Sequence, residues 1–322
     1  MLRLFPALGL LLISFSLSFA AQGQSQTPLR VLTSVKPLQL IAAAVQDGVG
    51  QPDVLLPPGA SPHHYALRPS DVRNVREVEL LYWIGPDLES FLPRVLAGRT
   101  KPSVSVQDLP QMSLRHFGDS DAQHAEHQDD HADHADHADA DQRDHAHRTG
   151  SLDAHLWLLP ANARVIADKM ASDLAQADPA NAARYQANAE AFGQRLDALD
   201  QRLKARLSGL AGKPYFVFHE AYDYFEAAYG LKHAGVFSVL GEVQPGAQHV
   251  AAMRKRLQQA GPTCVFSEPP VRPRLAQTLT AGLPVTLAEL DAMGGDLPVD
   301  ANGYEALLDN LANGLAECLG AL

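Results

Sequence analysis

From residue 29 onward, short apolar runs alternate with stretches whose apolar positions recur every three or four residues. Val31–Val35, Val54–Leu56, Leu80–Ile84 and Val104–Val106 have the length and apolar content of strands. Between them, Leu38–Val45, Ser70–Val78 and Asp87–Leu96 carry helical spacing. The second half repeats the alternation. Tyr215–Phe218, Ala234–Phe237, Cys264–Phe266 and Val285–Leu287 read as strands, and Tyr222–Tyr229, Gly246–Ala260, Pro273–Ala281 and Tyr304–Leu319 as helices. Strands alternating with helices predict an α/β fold whose parallel sheets are flanked by helices. The run Tyr215-Phe-Val-Phe218 is continuously apolar, as a strand covered on both faces must be.

The two halves are separated by a different pattern. A helical stretch from Ala161 to Leu174 is followed by Asp178-Pro179, an N-cap acid with proline at the first helical position. From there to Leu210 the chain is rich in Ala, Leu, Gln and Arg. That predicts a helix of about 30 residues, about 45 Å long at 1.5 Å per residue. A flexible linker would use Gly, Ser or Pro, so this segment reads as a rigid spacer. The expected organisation is an N-terminal α/β lobe over 28–175, a linking helix over 178–210 and a C-terminal α/β lobe over 213–322. Ligands of such folds bind at the carboxyl ends of strands, and here in the crevice between lobes.

Residues 1–20 have the form of a secretory signal peptide. Arg3 supplies the positive start, Leu8 to Phe19 is apolar, and Ser18-Phe-Ala20 precedes the expected cut. An uncleaved anchor is the alternative, but the run is short and diluted by serine. No later segment reaches about 18 consecutive apolar residues, so no membrane insertion is expected of the exported chain. Cys264 and Cys318 are the only cysteines. In an oxidising compartment two isolated cysteines most simply pair, with two buried thiols as the alternative.

Charge adds one localised feature. The chain has 322 residues and a formal net charge of −11. Most of that excess falls in residues 116–147, where ten acidic residues meet only Arg143. The remainder is nearly balanced and carries no basic stripe, which argues against nucleic acid as a partner. The same tract holds eight of the fourteen histidines: His116, His124, His127, His131, His134, His137, His145 and His147. With so few large apolar groups it is expected to be a disordered loop. Imidazole and carboxylate are good ligands for borderline divalent ions, so the tract is expected to be a secondary, low-affinity metal binder. Whether it collects metal or is a passive insert stays open.

Four residues elsewhere fall where strands end or loops turn. His63 lies in Gly59-Ala-Ser-Pro-His-His-Tyr65, His155 in Asp153-Ala-His-Leu-Trp157, and His219 directly after the apolar strand at 215–218. Asp291 follows the last strand. Three imidazoles and a carboxylate would form a tetrahedral site suited to zinc. His64, His233 and His249 lack such placement and read as ordinary polar residues.

Four segments resemble one family. Gly59-Ala-Ser-Pro-His63, Asp153-Ala-His-Leu-Trp157, Phe216-Val-Phe-His-Glu-Ala-Tyr-Asp-Tyr-Phe225 and Cys264-Val-Phe-Ser-Glu-Pro269 are similar to the ZnuA family, periplasmic zinc-binding components of bacterial ABC importers. The resemblance runs from about residue 29 to the C-terminus and takes in the long helix, the acidic histidine tract and the cysteine pair. It implies two α/β lobes joined by a rigid helix with metal in the cleft. The family's ligands fall on His63, His155 and His219, with Asp291 or water as the fourth. In some relatives an acidic residue before the first histidine supplies oxygen; here that position is Pro62. Manganese-binding relatives carry glutamate where this chain has His219, and a third imidazole favours zinc.

The resemblance implies a monomeric periplasmic carrier that takes Zn2+ as its ligand, delivers it to an inner-membrane ABC zinc permease and catalyses nothing. Two rivals follow from the same residues. A zinc hydrolase also uses three histidines and an open position, with Glu220 or Glu268 as base. No His-Glu-x-x-His helix supports it. A zinc buffer without a permease, relying on the tract, is the other.

Overall fold

The computed structural model describes residues 29–118, 150–238, 247–269 and 274–322. The expected signal segment, residues 1–20, lies outside them. So do His124, His127, His131, His134, His137, His145 and His147, and with them the expectation of a disordered metal-binding loop.

Eight described strands form two parallel sheets. β1 (Val31–Thr33), β2 (Asp53–Val54), β3 (Leu80–Trp83) and β4 (Ser103–Ser105) pair in the order β2-β1-β3-β4. β5 (Tyr215–His219), β6 (Gly235–Ser238), β7 (Thr263–Ser267) and β8 (Val285–Glu289) pair as β6-β5-β7-β8. Each sheet starts on an inner strand, steps to one edge and then crosses to the other side. The crossing leaves a switch point at the strands' carboxyl ends, where side chains from successive loops converge.

The helices are α1 (Lys36–Val45), α2 (Pro69–Glu77), α3 (Pro93–Leu96), α4 (Pro160–Ala177), α5 (Ala182–Leu207), α6 (Asp223–Tyr229), α7 (Ala247–Ala260), α8 (Arg274–Thr280) and α9 (Gly303–Gly320). With 26 residues, α5 is about 39 Å long. It is more than a spacer. Tyr185, Ala189, Phe192, Leu196, Leu199, Leu203 and Leu207 make one buried stripe along it, packed between α4 and α9. A continuous apolar core runs from Leu32 and Leu81 through α1, α4, α5 and α9 to Tyr215, Val217 and Phe266 of the second sheet. Where α9 meets α1, a Cβ on Gly303 would sit 2.7 Å from both Leu40 Cδ2 and the Pro298 carbonyl oxygen, and the backbone oxygen leaves room only for glycine. Arg195 of α5 pairs with Glu305 of α9, which locks the linking helix to the last one.

β5 explains its own apolar sequence. Tyr215 and Val217 face the shared core, while Phe216 and Phe218 face a second cluster with Phe237, Met253 and Leu257. Side chains alternate across a strand, so a strand buried on both faces has no polar position to spare. Cys264 of β7 and Cys318 of α9 form the expected disulfide, with Cα atoms 6.2 Å apart. No described helix is long and apolar enough to cross a membrane.

Two expected helices differ. Only Pro93–Leu96 of the stretch 87–96 is helical, because Pro93 has no N–H for an interior helix bond and instead opens a short helix. Glu89 turns inward, where its buried carboxyl accepts the backbone N–H groups of Ile84 and Gly85. The long helix starts at Ala182, after a single 3-10 turn over Pro179–Asn181. Asp178 serves that turn through Asn181 Nδ2 at 2.7 Å and the Tyr185 hydroxyl at 2.9 Å.

Candidate metal centre

Three elements each deliver one histidine. His63 sits in the loop after β2, its backbone N–H donated to Ser61 Oγ at 3.2 Å. His219 is the last residue of β5 and so projects from the carboxyl edge of the second sheet. His155 precedes a 3-10 turn over Leu156–Leu158 and is 2 % exposed. Its segment is held from the other half of the chain. Trp157 Nε1 donates to the Ala292 carbonyl at 2.8 Å, and the Tyr304 and Tyr224 hydroxyls donate to the carbonyls of Trp157 and Asp153 at 2.6 and 2.9 Å.

The three side chains come together although they lie far apart in sequence. One nitrogen of each falls within 4.8 Å of the others. Ring centroids are 5.5 Å apart for His63–His155, 5.3 Å for His63–His219 and 4.8 Å for His155–His219. Asp291 is not brought into this group. Its Oδ1 accepts the N–H groups of Met293 and Gly294, and its Oδ2 that of Gly295. A carboxylate so engaged closes its own turn. His64 is exposed, its ring 6.4 Å from that of His63, and His116 is exposed on a bridge with Leu152.

Carboxylates behind two of the rings, those of His155 and His219, set which nitrogen each offers. Asp153 Oδ1 accepts both the His155 backbone N–H at 3.0 Å and its Nδ1 at 2.8 Å. Glu268 takes His219 Nδ1 at 3.2 Å and lies 3.2 Å from the Tyr222 hydroxyl, which also reaches the Leu290 carbonyl at 2.9 Å. With Nδ1 carrying the proton, each ring presents the Nε2 lone pair, as metal-binding histidines do. Burial, then the neighbouring His219, hold the His155 imidazole well below its ordinary pKa. It is therefore neutral at pH 7 and needs to shed no proton to bind a metal. Burial pushes the Asp153 carboxyl up to about 7. Glu268 is pushed up by burial too, but the His219 ring and the Tyr222 hydroxyl hold it below the usual range. These two orienting acids were not singled out by spacing. Asp153 left a trace as Asp-x-His; nothing pairs Glu268 with a histidine 49 residues away.

Two parallel α/β sheets, a shared helical wall and three converging imidazoles define a two-lobed metal-binding protein. Residues 31–318 match the family described as zinc-uptake complex component A, periplasmic. The chain is 37% identical over 304 residues to the high-affinity zinc uptake system protein ZnuA of Brucella abortus (strain 2308), with 90% of this chain and 91% of that one covered. Its counterpart of the same name in Yersinia pestis is 37% identical over 290 residues, again with 90% and 91% covered. A crystal structure of ZnuA superposes with a TM-score of 0.72 at 22% identity, covering 91% of this chain and 99% of that one. This chain belongs to the ZnuA family.

Proposed function

We propose that this protein captures Zn2+ in the periplasm and delivers it to an inner-membrane ABC permease, holding the ion with His63, His155 and His219 and a water as fourth ligand. The convergence of three imidazoles from both halves of the chain carries this reading. Nitrogen-rich sites favour a borderline ion over the hard ions that carboxylates select. The packing of α5 against α4 and α9 restrains wide opening of the two halves, so release falls to local change at the site. His63 is suited to that, being on a loop and less buried than His155. Calorimetric titration tests the reading: zinc should bind tightly and with one-to-one stoichiometry at the trio, and excess manganese should not displace it. Equal affinity for the two ions would overturn it.

The orienting acids carry a further expectation. Asp153→Asn and Glu268→Gln should each weaken zinc by about 10–100-fold, the range for groups one bond removed from the metal. The melting temperature of the metal-free protein tells lost orientation from lost folding.

The histidine tract is proposed to gather extra zinc near the trio. Deletion of residues 119–147 should lower total zinc stoichiometry and leave the tight site unchanged. Unaltered stoichiometry would remove the tract from metal binding.

A further inference from the structure

The turn that follows β8 is tied to two of the three imidazoles at once. Asp291 closes it: Oδ1 accepts the Met293 and Gly294 N–H groups at 2.8 and 2.9 Å, and Oδ2 that of Gly295 at 2.8 Å. Gly294 takes the left-handed conformation the turn requires, with φ at +66°. The turn is also seated in the core, since a Cβ on Gly294 would lie 2.9 Å from Leu297 Cδ1 and 3.2 Å from Leu307 Cδ1 of α9.

The carbonyls on either side of Asp291 each hold one half of the site. Leu290 gives its N–H to the Ser267 carbonyl at the end of β7, at 3.0 Å, and its own carbonyl accepts the Tyr222 hydroxyl at 2.9 Å. That hydroxyl lies 3.2 Å from Oε1 of Glu268, the carboxylate that takes His219 Nδ1. The Ala292 carbonyl accepts Trp157 Nε1 at 2.8 Å. The buried Trp157 ring stands edge-on to the His155 ring, with centroids 5.3 Å apart. One side of the turn therefore reaches His219 through Tyr222 and Glu268, and the other reaches His155 through Trp157.

A hydrogen bond places a ring only as firmly as its acceptor is placed. Without the Asp291 carboxylate, three N–H groups of a partly buried turn lose their acceptor, and the turn must rearrange to find others. Both flanking carbonyls would shift with it. A metal site needs its ligands held to within about 0.5 Å, so such a shift is felt at both rings.

We propose that Asp291 is a positioning residue of the zinc site, acting through Trp157 and Tyr222 to hold His155 and His219 at their common spacing. This rests on the trio as the place where zinc binds. It gives Asp291 a part in affinity without contact with the ion. The turn makes two ligands respond together, so one local rearrangement there loosens both.

Chelator competition for zinc tests this on the full chain, with Asp291→Ala, Asp291→Asn, Trp157→Phe and the double variant Asp291→Ala with Trp157→Phe. Asp291→Ala should weaken zinc by about tenfold, the lower end of the range for groups that orient ligands. Asp291→Asn keeps an oxygen for the Met293 and Gly294 N–H groups and should recover most of that loss. The double variant should bind no more weakly than the weaker single variant, because both changes break one linkage. Unchanged affinity in Asp291→Ala overturns the proposal, as does a double variant whose losses multiply. A loss as large as that of His155→Ala, with no recovery in Asp291→Asn, overturns it in favour of direct ligation. Should Asp291→Ala not fold, Trp157→Phe and Tyr222→Phe take its place: a shared turn makes their losses overlap, and independent anchors make them multiply. Failure of the trio reading is distinct, since it appears as tight zinc surviving in His155→Ala.

Discussion

Zinc affinity of the His155→Ala protein should fall by at least about 100-fold, a loss of about 2.7 kcal/mol. Of the three imidazoles, His155 is the most buried and the most firmly placed. Its removal takes away one of only three protein nitrogens and leaves Asp153 without the ring it orients. Since altering an orienting group already costs about 10–100-fold, loss of the ligand itself should cost no less. His63→Ala and His219→Ala should weaken binding similarly. His64→Ala serves as the control, since its exposed ring lies outside the trio, and should leave affinity unchanged. Competition against a chelator of known affinity measures all four. Full-strength zinc in His155→Ala would overturn the ligand assignment.

The second large effect concerns stability alone. Replacing Cys264 and Cys318 together by alanine should cost about 4 kcal/mol, the chain-entropy value for a bridge between residues 54 apart. Cys264 lies on the inner strand β7, and Cys318 near the end of α9. Because α9 also packs on α1 and α5, freeing its end loosens the joint between the halves as well as the second sheet. Urea unfolding of the double variant against the oxidised protein measures the loss. Thiol labelling of denatured, unreduced protein should detect no free cysteine. Zinc affinity at 25 °C should stay unchanged, as neither cysteine joins the histidine trio. A stability loss below about 1 kcal/mol would show that packing alone holds α9 in place.

Much of the architecture was legible because burial imposes a period on the chain. The continuous apolar run at 215–218 could only be a strand covered on both faces, and the structure divides its residues between two clusters. The terminal helix and the long linking helix were readable for the same reason, each carrying a single apolar stripe. Where local chemistry competes with period, the reading shifted. Pro93 cut the helix expected over 87–96 to its last turn, and Asp178 opened a 3-10 turn before α5 began. Neither loss of helix shows in a hydrophobic pattern, because both are set by hydrogen bonds.

The site divides in a similar way. Sequence marked residues that could donate to a metal: His219 stands where a strand ends, His63 and His155 where loops turn, and such loops are where these folds present their ligands. It also left the fourth ligand as Asp291 or water, since position relative to a strand says nothing of what a side chain meets. Only tertiary structure decided that Asp291 turns to the N–H groups of residues 293–295 while three rings converge. Only it placed Glu268 behind His219, and Glu226 against His233. The reason is physical. Period and propensity are properties of neighbours along the chain, but coordination depends on distances of a few ångströms between groups that the fold alone brings together.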